Sequence, residues 1–363
     1  MTSRWVIKAS SDRSILWQQV WGLAALLVAV LFSYMAYSLY QPQILTQLGF
    51  SQLASRLELL QGLLAIIVEP CIGRISDRSM NRLGHRLPGI TVGVTLAGGI
   101  FVLIALLLQA NLPIALRWLF PILMTVWLMA MITFRGPGIA LLRQFAPTDQ
   151  LPQANAVLTL VLGLVGALSP FVNYLLQAIG ASLTFMLGAL ALLVGAILLW
   201  RSRPQYRVAD LPIGYQQPPS IQRCSLLFSL GTITGLIVIF TLRLVPQGLA
   251  ADWVGSSTSV TAMIFLISAL TAIPLESISR RWGCRRSMAI SLLALVIGLM
   301  CVLWLPVKVA IVWIPYFGCT LSLLFVSQIP VSLGMVAPNH AGLGTGLYFG
   351  GMGLANAILA MAK

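Results

Sequence analysis

PGITVGVTLAGGIFVLIALLL, residues 88–108, decides the fold class of this chain, because its 21 positions hold no charged side chain. About 20 apolar residues in a helix are enough to cross the hydrocarbon core of a bilayer. Only helices and closed barrels satisfy their backbone hydrogen bonds in that core, and a barrel strand would alternate apolar and polar residues. We therefore predict that this stretch is a transmembrane helix.

Ten other stretches of similar length and composition accompany it. The eleven predicted spans cover residues 17–39, 52–73, 88–108, 118–142, 154–177, 181–200, 223–243, 258–276, 286–305, 309–330 and 342–361. Together they predict an all-α polytopic membrane protein with eleven transmembrane helices.

The composition agrees with a membrane protein and excludes several other classes. Hydrophobic residues make up 59% of the 363 positions and charged residues 8%, whereas soluble domains carry about 25% charged residues. A soluble globular enzyme and a disordered chain are excluded on this ground. The sequence also contains no nucleophile–base pattern, phosphate loop or metal-ligand spacing, so we expect no enzyme activity, no metal site and no cofactor.

The net charge of +14 is explained by membrane topology. If the spans alternate in direction, 16 of the 22 basic residues fall on one side of the membrane, beside the ends of spans. Basic loops remain on the cytoplasmic side during insertion. The pattern predicts an integral protein of a plasma or inner membrane with a cytoplasmic N-terminus, and it gives no reason to expect a nucleic-acid partner.

Residues 201–222 are the least apolar stretch and contain four prolines and three arginines. They predict a cytoplasmic linker between a six-helix bundle at residues 1–200 and a five-helix bundle at residues 223–363. The motif RLGHR at 82–86 returns as RWGCR at 281–285, which indicates that the second bundle repeats the first. A full repeat would have a twelfth span, which is missing. A truncated, non-transporting chain and a protein that works with eleven spans are the two alternatives.

Three ionisable residues lie inside predicted spans, where such groups are costly and mark either a transport pathway or an ion pair. Glu58 and Glu69 are 11 residues apart in the second span, so they lie on nearly the same helix face, about 16 Å apart. Burial favours the neutral form of a carboxyl group, so either glutamate is a candidate proton carrier. The alternative is an ion pair that orders the bundle, with Arg56 near Glu58 or Arg135 near Glu69. Arg135 is also a candidate for binding an anionic or hydroxyl-rich substrate.

Polar residues in the first two spans, among them Tyr37 and Gln61, are candidates for the lining of a central cavity. Sugars are bound by hydrogen-bonding side chains and aromatic faces, and these residues supply both. Packing between transmembrane helices also uses polar side chains, which is the alternative role for each of them.

GRISDRSMNRLGHRLP, residues 73–88, connects the second and third spans and carries charges at fixed spacing. Gly73 permits close helix approach, Gly84 permits a tight turn, and Pro88 suits the first turn of a helix. Asp77 is able to accept hydrogen bonds from arginines or from a helix N-terminus. We predict a conformational latch formed by Gly73, Asp77, Arg78, Arg82, Gly84, Arg86 and Pro88. The alternative is a basic loop that serves topology alone.

The Gly-x-x-x-Asp-Arg pattern of residues 73–78 resembles the signature loop of the major facilitator superfamily. Together with Gly84, Arg86 and Pro88, it resembles more narrowly the sucrose/proton symporters and the glycoside–pentoside–hexuronide transporters. Residues 67–70, Ile-Val-Glu-Pro, and Gly136–Pro137 are similar to further motifs of that group. The resemblance implies two bundles that rock around a substrate site near the membrane midplane. It also implies proton-coupled transport of a small polar solute, such as a sugar or a glycoside.

Residues 72–77, Ile-Gly-x-x-Ser-Asp, also resemble the bacteriochlorophyll-delivery branch of the same superfamily, which implies a pigment or a membrane complex as partner instead.

Under the transport hypothesis, Glu58 binds a proton when the protein is open to the outside, and its neutralisation favours closure. Asp77 and its arginines then stabilise the outward-facing state.

Overall fold

The computed structural model describes residues 14–110, 113–202, 219–251, 256–304 and 310–361. These residues form helices and short turns, and no strand occurs among them. Eleven helical segments in this part of the chain are long and apolar enough to cross a membrane. The predicted all-α polytopic fold is therefore confirmed, and the chain is an integral membrane protein.

The helices are α1 (Trp17–Gln47), α2 (Ser51–Leu83), α3 (Leu87–Gln109), α4 (Leu119–Ala140), α5 (Leu142–Phe145), α6 (Leu151–Ile179), α7 (Ala181–Arg201), α8 (Ile221–Ala251), α9 (Ser257–Trp282), α10 (Cys284–Trp304), α11 (Ala310–Gly334) and α12 (Ala341–Met361). The four-residue α5 continues α4 after a break at Leu141, so these two helices belong to one spanning segment. Single turns of 3-10 helix precede α4 at Ile114–Leu116 and α12 at Pro338–His340.

Several helices extend well beyond the predicted spans. α2 continues to Leu83, past the predicted end at residue 73, so the stretch that was predicted to be a loop from Gly73 onwards is helical up to Gly84. Apolarity marks only the part of a helix that lies in hydrocarbon, whereas the internal hydrogen bonds of the helix continue into water. The residues of the predicted latch therefore lie on a rigid helix and on the turn that ends it.

A glycine with a positive φ ends both α2 and α9, where the chain turns into the next helix. Gly84 ends α2 with a φ of +74°, and Gly283 ends α9 with a φ of +86°. Glycine adopts this left-handed conformation without steric cost. Pro88 follows in the first turn of α3. The two glycines occupy the same place in RLGHR and RWGCR, and their shared positive φ supports the internal repeat, while their ψ angles, 1° and 135°, differ.

Two apolar cores lie in the two halves of the chain. The first is built mainly from α1 to α7 and the second from α8 to α12, and we call these groups the N-terminal and C-terminal bundles. In the first core, the Trp127 indole is stacked between Tyr37 and Phe101, with ring centroids 4.5 and 4.6 Å away. Most of the predicted linker at 201–222 and the N-terminal tail at 1–13 lie outside the described residues, so the linker boundaries and the position of the tail stay predictions.

The two bundles come into backbone contact along α2 and α12, which we call the α2–α12 seam. A Cβ atom on Gly73 would overlap the carbonyl group of Gly342, and one on Gly346 would overlap the backbone of Glu69. Glycine allows this approach because no side chain separates the helices. Further seam contacts of this type involve Gly62, Gly350 and Gly353.

Replacing Gly346 by leucine should force α12 away from α2, because the atoms in the way belong to a helix backbone. Overpacking of this kind costs about 1–3 kcal/mol. Gly99 in α3 is the matched control, since a Cβ atom there meets nothing within 4 Å. We expect Gly346→Leu to lower the unfolding free energy in detergent and Gly99→Leu to leave it nearly unchanged. Equal effects in a denaturant titration would contradict the close contact at the seam.

Candidate functional site

The charges of the helix ends define two sides of the molecule. Arg74, Arg78, Arg82, Arg281 and Arg285 are all exposed where α2 meets α3 and where α9 meets α10. We call this the basic side and the other the opposite side. The site residues are distributed between the two sides, mainly along α2 and its neighbours.

A cavity of about 740 Å³, the solute cavity, lies between α1, α2 and α6, and Phe265 of α9 completes it from the C-terminal bundle. Three of the residues proposed from the sequence, Tyr37, Glu58 and Gln61, line this cavity together. Small-molecule sites have volumes of about 300–1,000 Å³, with apolar walls and a few polar groups. The cavity therefore has the size and the lining of a binding site for a small solute.

Two tyrosines of α1, Tyr34 and Tyr37, line the solute cavity. The phenol oxygens of Tyr34 and Tyr37 are buried and have no hydrogen-bond partner among the described residues. The Tyr37 ring is held by the stack on Trp127, and Tyr34 packs edge-on against the same indole at 5.4 Å. A buried hydroxyl group without a partner costs free energy. A solute that formed hydrogen bonds with these oxygens would remove that cost.

Glu69 and Arg135 form an ion pair between α2 and α4. The guanidinium of Arg135 donates through Nε to Glu69 Oε1 at 2.8 Å, and its Nη2 lies 2.5 Å from the same oxygen. The Glu69 side chain is 1% exposed and that of Arg135 is 33% exposed. Arg135 also lies over the Phe349 ring of α12, 4.7 Å from its centroid. The sequence analysis offered this pair as the alternative to a transport role for Glu69. Through Arg135 and Phe349, the pair is also in contact with the C-terminal bundle.

Glu58 pairs with a residue that the sequence analysis did not connect with it. Arg243 of α8 places its Nη2 3.3 Å from Glu58 Oε1, and both side chains are about 40% exposed. The contact joins the two bundles in the half of α2 nearer the opposite side. Arg56, the sequence-local candidate partner of Glu58, is exposed. The α8 residue could not be identified from the sequence because 185 positions separate it from Glu58.

Asp77 joins the bundles at the basic side through two hydrogen bonds to α12, and Arg86 of its own bundle contacts the same carboxylate. Its Oδ1 accepts a hydrogen bond from the backbone N–H of Gly342 at 2.8 Å, and its Oδ2 accepts one from Leu343 at 2.8 Å. Arg86 Nη1 lies 2.6 Å from Oδ1 and also donates to Ser76 Oγ at 3.2 Å. Asp77 therefore caps the N-terminus of α12, where a negative charge is favoured by the helix dipole.

The predicted latch involves fewer charges than the sequence analysis assumed. Arg86 is 1% exposed and contacts Asp77 directly. Arg78 and Arg82, which were assigned to the same latch, are exposed. Because α2 is helical through this stretch, Arg78 and Arg82 do not share the buried helix face of Asp77. Gly73 contributes to the latch through its backbone contact with Gly342.

Asn155 of α6 is a cross-bundle residue whose role the sequence analysis did not identify. Its Nδ2 donates to the carbonyl oxygens of Phe325 at 2.8 Å and Val326 at 2.9 Å in α11. Pro330 lies four residues after Val326 inside α11 and has no N–H to offer that carbonyl. The buried amide thus replaces the missing helical donor. The available signal was a proline inside an apolar span, which implies an unpaired carbonyl that needs a partner.

A family model described as Major Facilitator Superfamily matches residues 120–360. The chain belongs to the major facilitator superfamily. Its fold and its family make it a membrane transporter by class, and major facilitators are in general transporters rather than enzymes. The narrower resemblance to sucrose/proton symporters and glycoside–pentoside–hexuronide transporters stays a prediction.

Solved major facilitator structures share this fold at low sequence identity. The human organic anion transporter MFSD10 (TETRAN) is 15% identical, with a TM-score of 0.66, 94% of this chain and 92% of that chain covered. The proton:xylose symporter XylE, bound to 6-bromo-6-deoxy-D-glucose, is 14% identical, with a TM-score of 0.67 and coverages of 97% and 89%. A bacterial homologue of the iron transporter ferroportin, in an outward-facing state, is 14% identical, with a TM-score of 0.71 and coverages of 96% and 91%. No curated protein matches by sequence.

Proposed function

We propose that this major facilitator moves a small polar solute, such as a sugar or a glycoside, by proton-coupled alternating access. The observation that carries the proposal is the solute cavity, whose lining includes two tyrosines with buried hydroxyls that have no hydrogen-bond partner among the described residues. A hydroxyl-rich solute has the donors and acceptors that these groups need. The likeness to XylE is in agreement with a sugar, although the likeness itself concerns the fold.

Two sets of cross-bundle contacts would act as gates in this cycle. At the basic side, which we propose is cytoplasmic together with the N-terminus, Asp77 holds α12 and Asn155 holds α11. At the opposite side, Glu58 holds Arg243. Alternating access requires one gate to open while the other is closed. The solute cavity lies between the helices that carry these gates.

The pair with Arg243 changes the role that we propose for Glu58. Sequence reasoning assigned closure to the neutral form of Glu58, but the ionised form is the one that attracts Arg243 across the bundles. We propose that a proton on Glu58 opens the opposite side. Glu69 is the better candidate for the coupling proton, because its protonation would free Arg135 to bind the solute. In both steps, protonation of a glutamate removes a charge from a contact between helices of the transport path.

Uptake into proteoliposomes tests the proposal. A panel of labelled mono- and disaccharides and glycosides is offered with and without an inward proton gradient, and accumulation against the solute gradient is measured. Gradient-driven uptake is the expected result. Folded protein that transports no member of the panel would contradict a sugar or glycoside as solute. A bound chromophore in the visible spectrum of the purified protein would instead support the pigment-delivery alternative.

Replacing Tyr37 by phenylalanine should raise the KM for the transported solute about fivefold, because one hydrogen bond to a solute is worth about 1 kcal/mol. The substitution keeps the ring that stacks on Trp127, so we expect unchanged thermal stability. Tyr174→Phe is the matched control, since Tyr174 lies on α6 and is 70% exposed. Initial uptake rates over a range of solute concentrations measure the effect. Equal KM values in the two variants would remove Tyr37 from the site.

A further inference from the structure

The helices around Glu69 supply it with a single charged partner. α2 packs against α1, α3, α4 and α12. Within the ranges given above, α1, α3 and α12 contain no Asp, Glu, Lys or Arg, and Arg135 is the one such residue of α4. The 3-10 turn Pro338–His340 touches α2 too, but it precedes Gly342 and lies at the level of Asp77, about 12 Å further along the helix. The pair of Glu69 and Arg135 is therefore a unit without net charge.

Glu69 has a second carboxylate oxygen that Arg135 does not use. Nε and Nη2 of Arg135 both contact Oε1, whereas Oε2 is buried and has no hydrogen-bond partner among the described residues. Oε2 faces α4, because a Cβ atom on Gly136 would lie 3.2 Å from it. A proton bound to Oε2 would make the carboxyl group neutral and would remove the charge that holds Arg135.

Arg135 has contacts beside the solute cavity that do not depend on the charge of Glu69. The guanidinium lies 4.7 Å from the centroid of the Phe349 ring of α12, so its exposed part, 33% of the side chain, lies where the two bundles meet. The Tyr34 phenol interacts electrostatically with both Glu69 and Arg135, and Tyr34 lines the solute cavity. Its buried hydroxyl and the guanidinium are thus two hydrogen-bond donors at the edge of that cavity.

Conservation of charge at this pair decides which solute fits. When Glu69 is protonated, Arg135 keeps its positive charge and loses its counter-ion. A neutral solute would leave that charge uncompensated between the bundles, and an unpaired buried charge is costly. A solute carboxylate would compensate it, and the planar guanidinium fork matches the two oxygens of a carboxylate.

We infer that the solute is a hydroxyl-bearing carboxylate with one negative charge. Its carboxylate takes the place of Glu69 on Arg135, and its hydroxyl groups meet Tyr34 and Tyr37. The inference rests on the proposed function, in which protonation of Glu69 frees Arg135. In the loading step a proton binds to Glu69 Oε2, the contact between Glu69 and Arg135 breaks, and the contact between Arg135 and the solute carboxylate forms. One proton and one monoanion enter together, so the net charge of the site is unchanged and transport is electroneutral.

Isothermal titration calorimetry on the purified protein in detergent tests the binding step without any transport assay. The probes are two matched pairs, glucuronate with glucose and gluconate with sorbitol, in which each acid has a neutral partner of similar size and hydroxyl content. We expect at least one acid to bind about tenfold or more tightly than its neutral partner. Titrations in two buffers of different ionisation enthalpy should show uptake of about one proton for each acid molecule bound. Equal or tighter binding of the neutral partners would overturn the inference, and so would folded protein that binds neither acid.

Variants of the pair separate binding of the carboxylate from a structural role. Glu69→Gln keeps Arg135 free, so it should bind the acid without taking up a proton, an outcome that a structural contact alone would not produce. Glu69→Gln/Arg135→Gln removes both charges and should lose the preference for the acid. Glu276→Gln/Arg280→Gln is the matched control, because it neutralises an ion pair within α9 whose residues do not line the solute cavity, and it should keep the preference. A preference for the acid that survives in Glu69→Gln/Arg135→Gln would overturn the inference.

The driving force for uptake separates this inference from the proposed function. In proteoliposomes, an inward proton gradient at zero membrane potential should drive accumulation of the acid. An inside-negative potential without a proton gradient should not drive it, because a proton and a monoanion together carry no net charge. Accumulation driven by the potential alone would overturn the inference and leave proton-coupled transport standing. Binding of the acid with proton uptake but without flux would instead contradict the proposed function and leave the assigned solute class intact.

Discussion

Replacing Asp77 by alanine should release α12 from α2 and open the basic side of the transporter. The substitution removes two hydrogen bonds from the N-terminus of α12 and leaves Arg86, which is 1% exposed, without its partner. Breaking a buried ion pair by removing one member costs about 3–5 kcal/mol, and losing a helix cap costs about 1 kcal/mol. The two hydrogen bonds to α12 exist only while the bundles touch, so their loss falls on the closed state, whereas Arg86 belongs to the same bundle as Asp77. A tenfold shift of the equilibrium between the closed and open states requires only about 1.4 kcal/mol.

Cysteine labelling measures this opening. Thr345 is fully buried between the bundles, and its hydroxyl donates to the Gly136 carbonyl of α4 at 3.1 Å. In a background without the five native cysteines, Thr345→Cys should react with a membrane-impermeant maleimide at least ten times faster once Asp77 is replaced. Asp149→Ala is the control, because Asp149 is an exposed carboxylate on the same side. The same labelling rate in both variants would mean that residues 73–88 serve topology alone.

The membrane-spanning segments could be predicted from the sequence, because each one must be apolar and must satisfy its own backbone hydrogen bonds in the hydrocarbon core. Apolar stretches of about 20 residues are helices, and the glycines of RLGHR and RWGCR lie in the turns between helices. The lengths of the helices were not readable. α2 extends as a helix through its Arg-rich end, where water no longer requires apolar side chains and where backbone hydrogen bonding alone decides.

For the contacts of the candidate site, the sequence indicated some of the residues but not their partners. Asp77 was recognisable as an acceptor for a helix N-terminus or an arginine, but nothing in residues 73–88 identifies α12, which begins more than 250 positions later. Under the ion-pair alternative, Arg56 was the candidate partner of Glu58 because it is near in sequence, and a sequence contains no other distance. Its partner in space is Arg243. Asn155 was passed over because its function depends on a carbonyl freed by Pro330 in another bundle.

At Glu69 and Arg135 we expect the largest difference in unfolding free energy between a single and a double substitution. Arg135→Gln leaves the carboxylate of Glu69 in a site that is 1% exposed, which we expect to cost about 3–5 kcal/mol of unfolding free energy in detergent. Glu69→Gln should cost less, because the Arg135 side chain is 33% exposed and keeps access to solvent or solute. The double variant removes both charges, so most of the lost stability should return.

The exposed pair of the same helix provides the matched control. Glu58 and Arg243 are the same residue types, 3.3 Å apart, but about 40% of each side chain is exposed, so their single substitutions should cost at most about 1 kcal/mol. Transport separates the roles of Glu69. If it carries the coupling proton, Glu69→Gln abolishes accumulation driven by a proton gradient and preserves solute exchange, and restored stability in Glu69→Gln/Arg135→Gln does not restore accumulation. Accumulation by the double variant at the wild-type level would reduce the pair to a structural contact, since a carrier without either charge has no proton to release and no free arginine to offer the solute.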